Sequence, residues 1–216
     1  MALAIGDIHG CDTALKTLLD GIQPSSEQHI ITLGDYVDRG PDSKAVISEL
    51  LKLKESHQYT HLMGNHEIQM IRALEAPHHM TRFLSAACGG QETLDNYGGR
   101  FEDIPEDHWN FITSAELYYE SDTHIFVHAG LDPQLSMADQ DPEVLYYQRF
   151  YEAKPHISGK PYLCGHTIQG DEPTDLGFAI CLDTCAYGGG WITAFDTESK
   201  VFYQANERGK FQELAL

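Results

Sequence analysis

The chain has 216 residues, of which 42% are hydrophobic, so it is long enough for one well-packed domain and short for two. Its 14 Lys and Arg residues against 33 Asp and Glu residues give a formal net charge of −19. Such an acidic surface disfavours nucleic acids and anionic membranes, which are bound mainly through basic side chains. We therefore predict a single domain over residues 1–216 with no nucleic-acid or membrane partner, and we leave the oligomeric state open.

The five cysteines are scattered along the sequence and form no CxxC pair. Their odd number and their spacing argue against a disulfide framework and favour reduced thiols. Nothing in the sequence resembles a leader segment, and no apolar run approaches the ~20 residues that a membrane helix needs. These features predict a cytoplasmic protein.

Short apolar runs, each followed at once by Gly, Asp, Asn or His, predict strands at residues 2–5, 29–33, 60–63, 125–128 and 162–164. A helix capped by Asp42 or Ser43 is predicted after the second strand, and further helices are predicted at residues 68–74, 106–115 and 142–150. Towards its end the chain turns to strands, at residues 178–182, 191–195 and 201–204. This order predicts an α/β fold in which two sheets pack together with helices outside. The less regular residues 76–99 are expected to form a helical cap or a lid.

Sharp turns that carry metal-type ligands follow the first five predicted strands. Their sequences are GDIHG, GDYVDRG, GNHE, HAG and GHT, and they begin at residues 6, 34, 64, 128 and 165. The crevice at the carboxyl ends of strands is where α/β proteins bind ligands, and glycine lets the backbone turn tightly there. Each turn alone is more often structural than functional. Five of them in this order, each directly after an apolar run, predict one shared site.

These five motifs resemble the signature set of the PPP-type serine/threonine phosphatases within the calcineurin-like metallophosphoesterases. The resemblance runs from Gly6 to Thr167 and implies a two-sheet β-sandwich flanked by helices, in the layer order α/β/β/α. It also implies two divalent metal ions. The first ion would be bound by Asp7 and His9, and Asp35 would bridge both ions. The implied ligands of the second ion are Asn65, His128 and His166.

The chemistry of these side chains agrees with the resemblance. The implied ligands are oxygen and imidazole with no thiolate, a set that suits Mn, Fe, Zn or Co better than a soft, cysteine-rich zinc site. We expect manganese. Two such ions lower the pKa of bound water from ~15.7 towards ~7, so that a bridging metal-bound hydroxide would attack the phosphorus atom.

The resemblance also implies residues that bind the substrate and protonate the leaving group. Arg39, Arg149 and Asn65 would bind the phosphate, because a guanidinium fork matches two phosphate oxygens. For Arg149 the alternative is a surface salt bridge. His66 would be the general acid, with its ring oriented by the Asp38 carboxylate. For Asp38 the alternative is a turn residue that bonds its own backbone.

The predicted activity is hydrolysis of phosphate monoesters, foremost on phosphoserine and phosphothreonine proteins, with phosphotyrosine or a small phosphoester as further substrates. The alternative is a symmetrical bis(5'-nucleosyl)-tetraphosphatase, which resembles the chain in the same motifs. We place the phosphatase first because those hydrolases are usually longer. A catalytically inactive scaffold would be expected to lack a ligand or the acid, and every one of these positions is filled here.

Overall fold

The computed structural model describes residues 2–215. The described part contains twelve strands: β1 (Ala2–Ile5), β2 (His29–Thr32), β3 (Tyr59–His61), β4 (Tyr118–Glu120), β5 (Ile125–Val127), β6 (Tyr162–Cys164), β7 (Thr174–Asp175), β8 (Ala179–Cys181), β9 (Asp183–Thr184), β10 (Trp191–Asp196), β11 (Val201–Ala205) and β12 (Phe211–Ala215). Its seven α-helices are α1 (Asp12–Ile22), α2 (Ser43–Ser56), α3 (Asn65–Ala73), α4 (Pro77–Phe83), α5 (Gly90–Asn96), α6 (Glu106–Thr113) and α7 (Pro142–Tyr147). Short 3-10 helices lie at Phe101–Asp103, Met137–Asp139, Phe150–Glu152 and Ala186–Gly188.

The strands form two mixed sheets. The first sheet has the order β12-β11-β10-β1-β2-β3, with β9 paired to β10. The second has the order β4-β5-β6-β8-β7. In the first sheet β1, β2 and β3 are parallel, and in the second β5, β6 and β8 are parallel. The parallel strands carry the ligand-bearing turns at their carboxyl ends, so each sheet presents one edge to a common site.

Side chains that alternate between the two faces of each strand form three hydrophobic cores. Leu3 and Ile5 of β1 pack into the core under the helices of the first sheet, whereas Ala4 points to the opposite face. Ala4 and Phe126 of β5 belong to a second core, which lies between the two sheets. Ile125 and Val127, the sequence neighbours of Phe126, pack into a third core on the outer face of the second sheet. Successive strand residues point to opposite faces, so both sheets are buried on two sides. The predicted α/β/β/α order is confirmed.

Most predicted elements are present, with differences at their ends. Helix α2 begins where predicted, with the Asp42 side chain accepting a hydrogen bond from the Ala45 N–H over 2.8 Å. Helix α3 begins at Asn65 rather than at residue 68, because the Glu67 carboxylate reaches back to the Gly64 N–H and stabilises an earlier first turn. The helix predicted at 142–150 ends at Tyr147, and a 3-10 turn follows it.

Helix α1 and the strands β4, β7 and β12 carry no prediction from the sequence. The irregular segment 76–99 folds into α4 and α5, two helices of seven residues each. Among residues 2–215, no helix is both long enough and apolar enough to cross a membrane.

Candidate active site

The ligand-bearing turns of both sheets meet at one cleft. Asp7 and Asp35 lie just after β1 and β2, and Asn65 begins α3 shortly after β3, while His128 and His166 follow β5 and β6. The cleft has a volume of about 600 Å³. Seven of the predicted site residues line it: Asp7, Asp35, Arg39, Asn65, His66, Arg149 and His166. The other three, His9, Asp38 and His128, are buried beside it.

The carboxylate of Asp35 lies between two histidines. Its Oδ2 is 3.5 Å from Nε2 of His9, and its Oδ1 is 3.5 Å from Nε2 of His128. Two groups of metal-ligand type therefore share this residue, one with His9 and His66 and one with His128 and His166, and the donor atoms of each group lie within 4.8 Å of one another. A carboxylate with one oxygen facing each group is placed to bridge two cations.

The buried rings of His9 and His128 present lone pairs to these groups. The Nδ1 atom of His9 lies 2.9 Å from the Val37 carbonyl oxygen, and Nδ1 of His128 lies 2.9 Å from the Leu33 carbonyl oxygen. A carbonyl can only accept, so each Nδ1 carries the hydrogen and each neutral ring leaves Nε2 unprotonated. Burial lowers the pKa of both rings, that of His9 to about 3. Both rings are therefore neutral, as metal-binding imidazoles must be.

The side-chain oxygen of Asn65 faces two histidine nitrogens. Its Oδ1 lies 2.6 Å from Nδ1 of His166 and 3.0 Å from Nε2 of His128. Since Nε2 of His128 carries a lone pair, two acceptors face each other, and a cation between them would satisfy both. Nε2 of His166 is buried without a hydrogen-bond partner in the described part of the chain, and burial lowers the pKa of this ring to about 3. This donor set fits a divalent cation.

Closely packed, buried carboxylates also indicate a cation site. Burial and the charges of Asp183 and Asp35 raise the pKa of Asp7 well above its usual value. The Asp7 carboxylate lies 3.1 Å from the backbone N–H of His166, which donates to it. Asp7 falls outside the two groups that share Asp35, but it borders the same cleft. Carboxylates packed this closely are stabilised by nearby cations.

The structure also brings the predicted pair of His66 and Asp38 together. Nδ1 of His66 lies 2.7 Å from Oδ2 of Asp38, and the Thr93 hydroxyl donates to Oδ1 of the same carboxylate over 2.7 Å. Burial opposes a charge on the His66 ring, but the carboxylates of Asp35 and Asp38 outweigh it and raise its pKa to about 10. The hydrogen bond to Asp38 favours the protonated ring, which is the form that a general acid requires.

Each of the two predicted phosphate-binding arginines lies beside a histidine. Nη1 of Arg39 is 3.0 Å from Nε2 of His9, and its guanidinium lies over the Tyr187 ring, 4.7 Å from the centroid. Nη1 of Arg149 donates to the backbone carbonyl of His166 over 3.4 Å. One arginine therefore lies at each of the two groups that share Asp35.

The backbone of the site is strained at several of these residues. Eight non-glycine residues of the described chain have a positive φ, and five of them are predicted site residues: His9, Asp35, Asp38, Arg39 and His166. Left-handed backbone costs of order 1–3 kcal/mol for each such residue and persists where the surrounding structure enforces it. The concentration of strain supports a functional role for these turns.

Three buried residues that hold the site in place have no role predicted from the sequence. Glu67 accepts hydrogen bonds from the backbone N–H groups of Gly64, Asp35 and Tyr36 over 3.0, 2.8 and 2.8 Å, and so fixes two ligand-bearing turns. Its place three residues after Gly64 is the capping position that could have revealed it. The other two are Thr93 and Cys88, whose thiol lies 3.5 Å from the Asp38 carboxylate.

Together, the two layered sheets and the candidate metal-binding groups define a phosphoester hydrolase of the metal-dependent type. The family profile of the calcineurin-like phosphoesterases matches residues 2–170, most of the chain. The chain belongs to the calcineurin-like phosphoesterase family, whose members use divalent metals.

Two bacterial relatives give a more specific comparison. A protein of Janthinobacterium sp. (strain Marseille) is 28% identical over 188 residues, which cover 78% of this chain and 60% of that protein. A protein of Ralstonia nicotianae is 29% identical over 136 residues, 63% of this chain and 44% of that protein. Both are named symmetrical bis(5'-nucleosyl)-tetraphosphatases. The chain thus spans 60% or less of the length of these two relatives.

Solved structures share the fold at lower identity. A protein provisionally assigned as a diadenosine tetraphosphatase superposes with a TM-score of 0.69 at 20% identity, over 99% of this chain and 92% of that one. A protein-tyrosine phosphatase of Shewanella sp. gives 0.68 at 16% identity, over 99% and 80%. A serine/threonine phosphatase of Saccharomyces cerevisiae gives 0.66 at 17%, over 100% and 79%. At these identities the comparison supports the fold and not a choice of substrate.

Proposed function

We propose that this chain hydrolyses dinucleoside polyphosphates, and that a symmetrical dinucleoside tetraphosphatase activity is the first to test. The Asp35 carboxylate, 3.5 Å from a histidine of each of two groups, carries the assignment to metal-dependent phosphoester hydrolysis. The substrate class is supported by the relatives of Janthinobacterium and Ralstonia, whose names specify that substrate.

A phosphoprotein substrate, placed first from the sequence, has less support. The phosphatases of Shewanella and Saccharomyces share the fold at 16% and 17% identity, and at that level the likeness supports the fold but not the substrate. Chain length favoured the phosphatase in the sequence analysis. The relatives named as tetraphosphatases match although they are longer than this chain, and the alignment with the Janthinobacterium protein covers 60% of that protein.

The side chains of this site have distinct proposed roles in the reaction. Asp7, His9 and Asp35 would hold one divalent cation. Asp35 would also bind a second cation, together with Asn65, His128 and His166. When bound, such cations offset phosphate charge and make hydroxide available near neutral pH. We propose manganese as the first metal to test, since the donors are oxygen and imidazole.

The remaining residues of the site act on the substrate itself. Arg39 and Arg149, with the amide of Asn65, bind the oxygens of the phosphate under attack. His66 donates a proton from Nε2 to the leaving oxygen, while Asp38 holds the hydrogen on Nδ1 and orients the ring. Residues 76–99 serve as the cap over this reaction, since α4 and the turn after it line the cleft.

A comparison of substrates with the manganese-loaded protein tests the proposal. Turnover is measured on diadenosine tetraphosphate and on peptides carrying phosphoserine, phosphothreonine or phosphotyrosine, with the nucleotide products separated by chromatography. We expect the dinucleotide to give the highest kcat/KM and two molecules of nucleoside diphosphate. A higher kcat/KM on any phosphopeptide would return the assignment to a protein phosphatase.

A further inference from the structure

A third arginine, Arg82 of α4, lines the same cleft as Arg39 and Arg149. Its side chain is exposed, and its Nε donates a hydrogen bond to Oε1 of Gln69 over 3.0 Å. The two terminal nitrogens of Arg82 make no hydrogen bond to other groups within residues 2–215. The roles proposed above for binding and proton transfer do not use this residue.

The basic residues of the chain are distributed unevenly. The sequence contains six arginines and eight lysines, and three of the arginines but none of the lysines border this cleft. In a chain with a net charge of −19, this places a large share of the guanidinium groups around one opening. Guanidinium matches phosphate with two parallel hydrogen bonds, whereas lysine acts as a point charge. The selection of arginine indicates phosphate recognition rather than general charge balance.

Gln69 ties Arg82 to the metal-binding groups. Its Nε2 donates to the backbone carbonyl of Asn65 over 3.1 Å, one helical turn earlier in α3, and its Oε1 accepts from Arg82. Arg82 is therefore held by two successive hydrogen bonds to the residue whose side chain faces His128 and His166. Arg39 and Arg149 lie directly beside histidines of the two groups, but Arg82 is linked to them only through Gln69.

Arg82 is placed differently from the other two arginines of the cleft. A phosphate bound at the Asp35 carboxylate would lie between the two groups that Arg39 and Arg149 flank, whereas Arg82 is linked to those groups only through Gln69. We propose that Arg82 binds a second, neighbouring phosphate of a polyphosphate chain, so that the cleft favours polyphosphates over simple monoesters. The natural substrate class rests on the proposed function, but binding of a second phosphoryl group by Arg82 can be measured without any turnover.

Two non-hydrolysable probes separate these questions: methylphosphonate, with one phosphoryl group, and methylenediphosphonate, with two. Calorimetric titration of the manganese-loaded protein, in excess Mn²⁺ and with metal content verified, gives a dissociation constant for each probe. We expect Arg82→Ala to weaken methylenediphosphonate about 10-fold, the size typical of a hydrogen bond to a charged group, and to weaken methylphosphonate far less. Arg82→Lys, which keeps the charge but loses the fork, should fall between wild type and Arg82→Ala.

Arg100→Ala is the matched control, because Arg100 is exposed and pairs with Asp103 away from the cleft lining. It should leave both dissociation constants at the wild-type value. Equal weakening of the two probes in Arg82→Ala, or no weakening of either, overturns the inference. Suppose that wild type does not cleave dinucleotides, but Arg82→Ala still weakens the binding of methylenediphosphonate more than that of methylphosphonate. The proposed function then fails, and the role of Arg82 in binding a second phosphate stands.

Discussion

Nε2 of His66 lies 4.0 Å from Oδ2 of Asp35, on the side of the ring opposite to Asp38. The imidazole thus joins the carboxylate shared by the two metal-ligand groups to a second carboxylate that is fully buried. This position suits a ligand of the first cation as well as a proton donor to the substrate. The two roles differ in what they predict for metal content and for the dependence of the rate on the leaving group.

If His66 is the general acid, its loss should matter most for a poor leaving group. Phenolate is more basic than p-nitrophenolate and needs a proton more, so phenyl phosphate and p-nitrophenyl phosphate form a matched pair of substrates. We expect His66→Asn to lower kcat on phenyl phosphate by about 10²-fold or more, and on p-nitrophenyl phosphate by much less. Asp38→Asn should show the same pattern more weakly, because Asp38 acts through the ring.

Elemental analysis of the same variants provides the control. His66→Asn and Asp38→Asn should keep the metal content of the wild type. Equal losses of kcat on the two aryl phosphates, or loss of one metal ion from His66→Asn, would assign His66 to the first cation instead.

The shared position of Asp35 predicts different metal contents for two further variants. Asp35→Ala removes the carboxylate that faces both groups, so we expect it to lose most of both ions after dialysis. His166→Ala removes a nitrogen of one group only and should retain about one ion per chain. Wild type should bind two ions per chain. A chelator should abolish its activity, and added Mn²⁺ should restore it. Metal contents that are the same in the two variants would contradict the bridging role of Asp35.

The convergence of these residues on one cleft could be predicted, because they lie close to strand ends. Asp7 and Asp35 each follow an apolar run and one glycine, His128 follows an apolar run directly, and parallel strands bring such ends to one edge. The alternation of Leu3, Ala4 and Ile5 is likewise readable as a strand buried on both faces.

The supporting residues were not predictable, because their contacts depend on packing between distant segments. Thr93 and Cys88 reach Asp38 across 55 and 50 residues of sequence. They are brought there by α4 and α5, helices that are too short for their apolar residues to show a helical period in the sequence. The early start of α3 was missed for a related reason, since the polar run of Asn65 and His66 reads as a loop until Glu67 is seen to cap it.

An exposed aromatic ring at the cleft predicts a preference for nucleotides, if the proposed function holds. Tyr151 is 79% exposed, borders the cleft and follows Arg149 by two residues. Stacking of a base on an aromatic ring contributes about 1–3 kcal/mol, so Tyr151→Ala should raise the KM for diadenosine tetraphosphate about 10-fold. Tyr151→Phe keeps the ring and should stay near wild type. A KM for Tyr151→Phe as high as that for Tyr151→Ala would show that the ring does not stack on the base.

The buried His61 should make the fold less stable in mild acid. Its Nε2 donates to the Phe111 carbonyl over 2.9 Å, its ring stacks on Phe111, and burial lowers its pKa from 6.5 to about 4. Between these values the unfolded chain binds a proton that the folded chain does not, so the free energy of unfolding falls as pH drops from about 6.5 to about 4 and levels off below. One pKa unit corresponds to about 1.4 kcal/mol, so the loss attributable to His61 by pH 4.5 should be about 2–3 kcal/mol.

Urea unfolding of metal-free protein at pH 7.5 and pH 4.5 measures this loss. His61→Gln keeps an N–H donor for the Phe111 carbonyl but cannot titrate, so its unfolding free energy should fall by about 2 kcal/mol less than that of wild type between the two pH values. His78→Gln, at an exposed histidine of α4, is the control and should lose as much as wild type. Acidic groups elsewhere contribute equally to all three proteins and cancel in the comparison. If His61→Gln and wild type lose the same free energy, His61 is already protonated in the folded state, and burial of its ring does not lower its pKa.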